Sequence, residues 1–190
     1  MVRGDSVLIK KSGLVIRNMK NCPNDFKLMV QWLNEPHVSE FYGKPLDLDE
    51  VIEKYLPRIN EDGKIVPCII EYDGSSLGYL QFYQLTETQK LELTLSPNIP
   101  TCGLDLFIGT PHCLNQGIGT MSVMAMLEYL MEIGIRRVVL DPLVDNARAI
   151  RCYEKCGFRK QRILSHHQLY DGVYLDSWLM EKNLGNRNDG

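Results

Sequence analysis

Little separates the two signs of charge in this sequence: 21 lysines and arginines face 24 aspartates and glutamates among 190 residues, a net charge of −3. Such a balance gives no electrostatic footprint for nucleic acid or an anionic membrane, and it is compatible with a cationic ligand. Long apolar runs are missing too. None approaches the length of about 18 residues that a membrane-spanning helix needs. Val7-Leu8-Ile9 is too short for a signal-peptide core and has no cleavage site after it. The six cysteines, at positions 22, 68, 102, 113, 152 and 156, contain no C-x-x-C pair and no regular framework. That argues against a disulfide scaffold, with metal or disulfide roles only an alternative for the pair at 152 and 156. Cys152 and Cys156 stand at i, i+4 on an expected helix and read as small buried apolar side chains. Repeats, low-complexity tracts and Pro/Ser-rich linkers are absent. The expectation is a cytoplasmic protein with reduced thiols and no nucleic-acid or membrane partner.

What is present describes one globular domain. Apolar residues make up 44% and charged residues 24%, and a chain of this length buries about 70% of its unfolded surface without staples. Residues 1–182 are expected to form the domain, and 183–190, polar and rich in Gly and Asn, a flexible tail. A strand is expected over 14–17, after the Ser12-Gly13 turn. Phe26, Met29, Val30 and Leu33 then recur at helical spacing after Asn24-Asp25, with Pro36 closing that helix near Asn34. A second helix is expected over 46–60, capped by Asp47 or Asp49 and broken or closed by Pro57. Val66–Tyr72 and 77–85 flank a turn at Asp73-Gly74 as a hairpin. A short strand near Leu91-Glu92-Leu93 is expected in the irregular stretch 86–101, then a strand over 102–108. Residues 117–132 are apolar around most of a helical circumference, as in a helix packed on a sheet. A strand Arg137–Leu140, a helix 146–155 and strands 158–165 and 173–180 complete the set. An early hairpin followed by alternating strands and helices predicts an α/β or α+β domain around one mixed sheet.

Leu114-Asn115-Gln116-Gly117-Ile118-Gly119-Thr120 lies between a strand and the long helix. Glycines at i and i+2 let the backbone approach a ligand closely, and first-turn N–H groups without internal partners face an anion. The spacing suits a pyrophosphate, and equally a tight turn with a close helix–sheet contact. It is neither a P-loop nor a full G-x-G-x-x-G, since Ser122 takes the third glycine position. Further on comes Asn146-Ala147-Arg148-Ala149-Ile150-Arg151-Cys152-Tyr153-Glu154-Lys155-Cys156-Gly157-Phe158. With these two runs the chain resembles the GNAT superfamily of N-acetyltransferases. The first is similar to that superfamily's Q/R-x-x-G-x-G/A acetyl-CoA loop, except that Leu114 stands where Gln or Arg is usual. The second is similar to its N-x-R-A-I-x-x-Y-E-K-x-G-F signature. Backbone amides do the binding, so the Leu114 departure is expected to weaken pyrophosphate affinity at most. From about Trp32 to Met180 the chain looks like the aminoglycoside 6′-N-acetyltransferases in particular. The residues that carry this are Trp32-Leu33-Asn34-Glu35-Pro36-His37-Val38 with Glu40-Phe41-Tyr42-Gly43, then Gly78-Tyr79-Leu80-Gln81, the run from Gly103 to Gly109, Asp141-Pro142, and the run from Arg148 to Glu154.

The resemblance implies a single GNAT-type domain, α/β (α+β), with a mixed, mostly antiparallel sheet of about seven strands flanked by about four helices. The sheet would be splayed at its central parallel pair, the first strand of which includes 103–108. Acetyl-CoA is the implied cosubstrate, with no metal. Backbone N–H groups near Phe107 or Ile108 would polarise the thioester oxygen. Asn115, Gln116, Gly117, Ile118, Gly119 and Thr120 would hold the pyrophosphate, and Asn146 the pantetheine arm. Asp105 is the candidate base that orients and deprotonates the amine, since an unpaired carboxylate in so apolar a strand is costly. An outward-facing strand residue is its plainer alternative. Tyr153 is the candidate acid for the departing thiolate, with a core tyrosine as alternative. Tyr42, Gln81, Asp105, Asp141 and Asp171 match acceptor contacts of the aminoglycoside enzymes; packing remains open for Tyr42 and a turn role for Asp171. His166-His167, with no partner in the sequence, read as a surface strand end, and His37 and His112 are unassigned. The implied acceptor is a cationic aminoglycoside, the implied consequence antibiotic resistance, and the protein a monomer or homodimer. Two alternatives stand: a GNAT enzyme for a protein N-terminus or other small amine, and a non-catalytic acetyl-CoA-binding module.

Overall fold

In the centre of the chain, consecutive strand residues are buried on opposite faces. Cys68, Ile70, Leu80 and Phe82 join one apolar core, while the intervening Ile69 and Tyr79 join another. A strand covered on both sides belongs in the middle layer of three. The computed structural model describes residues 7–60, 65–170 and 172–185. Its strands are β1 (Val7–Lys11), β2 (Leu14–Asn18), β3 (Val66–Tyr72), β4 (Ser75–Gln84), β5 (Thr101–Ile108), β6 (Arg137–Leu140), β7 (Arg159–Tyr170) and β8 (Val173–Asn183). They form one sheet in the order β1-β2-β3-β4-β5-β6-β8-β7.

The helices are α1 (Pro23–Leu33), α2 (Pro36–Tyr42), α3 (Leu48–Asn60), α4 (Glu87–Glu92), α5 (Ile118–Glu132) and α6 (Ala147–Lys155). One face of the sheet carries α5, whose Ile118, Val123, Met126 and Leu130 pack on β2 to β6 residues together with Ile150 and Tyr153 of α6. The other carries α1 to α3, through Met29, Trp32, Val51 and Tyr55. The methionines of α5 divide: Met126 is fully buried, whereas Met121 and Met124 are exposed.

Among the described residues only β5 and β6 pair in parallel, and only over Thr101↔Arg137, Cys102↔Val138 and Gly103↔Val139. Strand β5 continues to Ile108, paired along its other edge to β4, with no further pairing to β6. The expected splay is present, and it opens the site described below.

The first helix ends where expected, at Leu33 with Asn34 as its C-cap, and Pro36, two residues on, also starts α2, where its fixed φ and missing N–H cost nothing. Two local expectations differ from the structure. Pro57 lies inside α3, which runs on to Asn60. The helix is anchored by buried Val51 and Tyr55, and the carbonyl that Pro57 leaves without a donor falls at exposed Glu53, where water can serve it. The α3 start is a reciprocal cap, with Glu50 N–H donating to Asp47 Oδ1 at 2.9 Å and Asp47 N–H to Glu50 Oε2 at 3.0 Å. In the stretch 86–101 there is a helix rather than a strand, because Thr86 and Gln89 form a capping box. The described residues form eight strands and six α-helices, against about seven and about four expected. Of the residues expected in a tail, Asn183 pairs with Arg137, and Leu184 is buried with its N–H donating to the Arg136 carbonyl. Residues 186–190 lie outside the described residues.

Candidate active site

Where β5 leaves β6, a cavity of about 570 Å³ opens between the sheet, α2, α3, the loop before α5, and α6. Strand alternation decides which side chains reach it. The register pairs Tyr79 with Phe107, Gln81 with Asp105 and Tyr83 with Gly103, so these six positions share one face of β4 and β5. Leu80, Phe82, Leu104 and Ile108 point the other way, toward α5. Gly103 is required by its neighbour: a Cβ there would run into the Tyr83 ring.

Asp105 lines the cavity rather than facing bulk solvent. Gln81 Nε2 donates to its Oδ2 at 2.7 Å. The Gln81 amide is itself fixed, because its Oε1 accepts from the Tyr79 hydroxyl at 2.9 Å and from Arg58 Nη1 at 2.7 Å. Gln81 therefore sits as a bridge between Arg58 and Asp105. Burial pushes the Asp105 carboxyl up to about 6, and the nearby Asp141 charge adds to this, while the Gln81 hydrogen bond and the Arg58 charge pull it down. Two cations stand on this side. The Arg58 guanidinium lies 5.1 Å from the Tyr55 ring centroid, and the Lys54 ammonium lies 5.5 Å from that of Tyr55 and 6.0 Å from that of Tyr42. Burial, then Arg58, lowers the Lys54 pKa. Tyr42 both lines the cavity and packs, with its ring edge-on to Phe107 at 4.7 Å and to Tyr79 at 6.3 Å.

Asp141 follows β6 and also lines the cavity. It is held from β7: His167 Nε2 lies 3.0 Å from its Oδ2, and Gln168 Nε2 donates to its carbonyl at 2.7 Å. His167 thus has a partner, contrary to its reading as a bare strand end. The register of β7 slips between Leu164 and Gln168, with His166 at φ 52, and this bulge turns His167 onto Asp141. The hydrogen bond to Asp141 raises the His167 pKa. Asp171 lies outside the described residues. Tyr153 projects from α6 into the cavity wall, 6% exposed, its ring tilted against Phe158. Burial raises its hydroxyl well above the usual phenol range, so it stays protonated.

The glycine loop borders the same cavity. Asn115 (φ 60) and Gly117 (φ 82) turn the chain through left-handed conformations into α5, a geometry that favours glycine at the second position. No side chain caps α5, its first turn carries no acid, and Met121 N–H is the first to bond back, to the Gly117 carbonyl. The N–H groups of Ile118, Gly119 and Thr120 are left for an anion. Asn115, Gly117, Ile118, Gly119, Thr120, Phe107 and Ile108 all line the cavity. The Gln116 side chain instead donates to the His112 carbonyl at 2.6 Å, stapling the loop, and Gln116 is outside the lining set. Asn146 lines the cavity while its Oδ1 caps α6, accepting from Ala149 N–H at 3.1 Å. His37, left unassigned by sequence, closes one wall: its Nε2 donates to the Ile108 carbonyl at 2.9 Å, and its own carbonyl accepts from Arg148 Nη2 at 2.9 Å. No group of three or more potential metal ligands occurs among the described residues.

Sequence reasoning missed Lys54, Arg58, Tyr83 and His167. Tyr83 was within reach, since alternation along β4 from Gln81 places it on the same face. Nothing in the pattern of α3 points Arg58 at Gln81, and a bulge is not readable in β7.

The family model for the GNAT acetyltransferase domain matches residues 21–165. Aminoglycoside N(6′)-acetyltransferase type 1 from Klebsiella pneumoniae is 32% identical over 145 residues, which cover 73% of this chain and 71% of that protein. A solved structure of AAC(6′)-Ib with ribostamycin and coenzyme A superposes with a TM-score of 0.75 at 26% identity, covering 94% of this chain and 99% of that one. A spermidine N-acetyltransferase from Vibrio cholerae, in complex with coenzyme A and spermine, shares the fold at a TM-score of 0.72 and 17% identity, covering 91% of this chain and 96% of that one.

Proposed function

This chain belongs to the GNAT family of acetyltransferases, and on that premise we propose that it acetylates the 6′-amine of an aminoglycoside. As an acetyl-CoA-dependent N-acetyltransferase it needs a place for a pyrophosphate, and the uncapped start of α5 beside two left-handed loop residues fits one. Acetyl-CoA supplies the activated acyl group. Main-chain N–H groups of 117–120 hold its diphosphate, and the Asn146 amide, with its oxygen engaged in the α6 cap, offers N–H donors to the arm. The β5 segment past Gly103, released from β6, offers backbone groups along one edge.

The acceptor amine must lose a proton before it attacks. Asp105 takes that role: a carboxylate at about 6 is ionised at neutral pH yet more basic than an ordinary aspartate. Gln81 holds one oxygen of it. Tyr153, protonated by virtue of its burial, donates to the departing thiolate. Asp141 and Tyr42, on the lining of the same space, serve the aminoglycoside's ammonium groups and sugar faces.

The observation that carries the reading is the half-buried carboxylate of Asp105, oriented by Gln81 in a cavity continuous with the α5 loop. The choice of an aminoglycoside rests on the 32% identical relative. A second acceptor, a less cationic small amine, is favoured by Lys54 and Arg58, which offset the two carboxylates against a polycation. The test is the product. With an aminoglycoside bearing a 6′-amine, NMR should place one acetyl group on the 6′-nitrogen; acetylation at another nitrogen, or no product, contradicts the proposal.

A further inference from the structure

We propose that Cys152 and Cys156 form a thiol modification site in the wall of the cosubstrate pocket, at which peroxides and soft electrophiles react and block acetyl-CoA. The cysteines were expected to be inert apolar filler, and Cys156 fits that description, being buried. Cys152 does not. It lines the cavity, and its Sγ lies 3.5 Å from the Thr120 hydroxyl and 3.6 Å from where a Cβ on Gly119 would stand. Both neighbours are in the first turn of α5, whose unpartnered N–H groups stabilise negative charge. A thiol against a helix N-terminus, within reach of the Thr120 hydroxyl, is in the setting that lowers a cysteine pKa. The neighbouring Cys156 thiol and the Thr120 hydroxyl bring Cys152 down to about 7, against the opposing effect of burial.

Cys156 stands where a resolving thiol is needed. It follows Cys152 at i+4 on the last turn of α6, with its Sγ 3.7 Å from the Thr120 carbonyl. Residues at that spacing have Cα atoms about 6 Å apart, within the range a disulfide spans. Their Cβ atoms are about 5–6 Å apart, so the bridge forms only as the end of α6 unwinds around Cys156, its C-cap residue. The chemistry balances with hydrogen peroxide as oxidant. The Cys152 thiolate attacks one peroxide oxygen, the O–O bond breaks, and, with one proton taken up, a sulfenic acid and water result. The Cys156 thiol then displaces hydroxide from that sulfur, its proton leaving with the hydroxide as a second water, and the S–S bond forms. Either product changes the shape of α6 where it meets Gly119 and Thr120.

The blocking half of this inference rests on the acetyl-CoA reading of the loop; the reactivity half does not. Site-resolved mass spectrometry of the intact, folded protein separates them, using iodoacetamide at neutral pH, with the half-buried Cys22 and Cys113 as internal references. Cys152 should be alkylated on the order of ten-fold faster than either, as a thiol whose pKa is lowered at a helix N-terminus. Saturating acetyl-CoA should suppress that rate at Cys152. Hydrogen peroxide should remove two hydrogens between Cys152 and Cys156, reversibly with dithiothreitol, and Cys156→Ser should leave the sulfenic acid unresolved. Labelling of Cys152 no faster than Cys22 and Cys113 overturns the site. Fast labelling with no protection, where calorimetry shows that acetyl-CoA binds, overturns the blocking claim. Absence of acetyl-CoA binding by calorimetry counts against the family reading of the loop and not against the thiol chemistry.

Discussion

Replacing Asp105 by Asn should make the protein slower and more stable at once. The carboxyl rises from 3.8 to about 6 in the fold, chiefly by burial. At about 1.4 kcal/mol per pKa unit, the ionised form costs at most about 3 kcal/mol near neutral pH, since water in the cavity relieves part of it. The sign follows from linkage. A group whose folded pKa is raised adds most to stability below its unfolded value, and that contribution is lost as the pH climbs through about 6. Asn keeps an oxygen for the Gln81 amide but has no charge to bury. The variant should therefore melt higher than wild type near neutral pH, by at most about 10 °C for a chain of this size. The gap should close at about pH 4, where both side chains are neutral. Turnover should fall about 10²-fold or more, the scale of general-base loss. Thermal melts at the two pH values, with initial rates of thiol release, read both halves. Turnover within a few-fold of wild type removes Asp105 from the base role. A melting point unchanged or lowered near neutral pH refutes the electrostatic account of its pKa.

Three further outcomes follow from the same geometry. Gln81→Ala removes a hydrogen bond that holds the Asp105 pKa down, so the acid limb of kcat/KM should move above about 6 while acetyl-CoA affinity stays level; an unmoved limb means that the bridge from Arg58 does not tune the base. Tyr153→Phe should lower kcat with little change in acetyl-CoA Kd by calorimetry, and an unaltered rate excludes the hydroxyl as proton donor. Gly103→Ala drives a methyl group into the Tyr83 ring and should cost about 1–3 kcal/mol in chemical denaturation; no loss of stability would show that Tyr83 can swing aside.

The strands that build the pocket were legible because their patterns are strong. Val66–Tyr72 and Arg137–Leu140 run to the residues where sequence places them. The two glycines at the start of α5, and Asp105 as an acid in an apolar strand, stood out for the same reason: each breaks a local rule. What escaped depends on contacts distant in sequence. Arg58 reaches Gln81 only because α3 lies across β4, and His167 reaches Asp141 only through a bulge in β7. Pro36 follows the end of α1 as expected yet opens the next helix, and Pro57 sits within a helix it was expected to break or close, because position within the helix and solvent access to the freed carbonyl decide the cost. Leu91-Glu92-Leu93 looked like a strand until the Thr86–Gln89 capping box set a helix over it. Cys152 was indistinguishable from core packing in the sequence, since its meeting with Gly119 and Thr120 joins α6 to the start of α5.

The most direct test of the account is thiol release from acetyl-CoA by the purified protein with three acceptors in parallel: an aminoglycoside with a 6′-amine, one with a 6′-hydroxyl, and a basic peptide. The account predicts rapid turnover with the 6′-amine compound alone, abolished by Asp105→Asn. Turnover with the peptide alone, or equal rates with the two aminoglycosides, would contradict it.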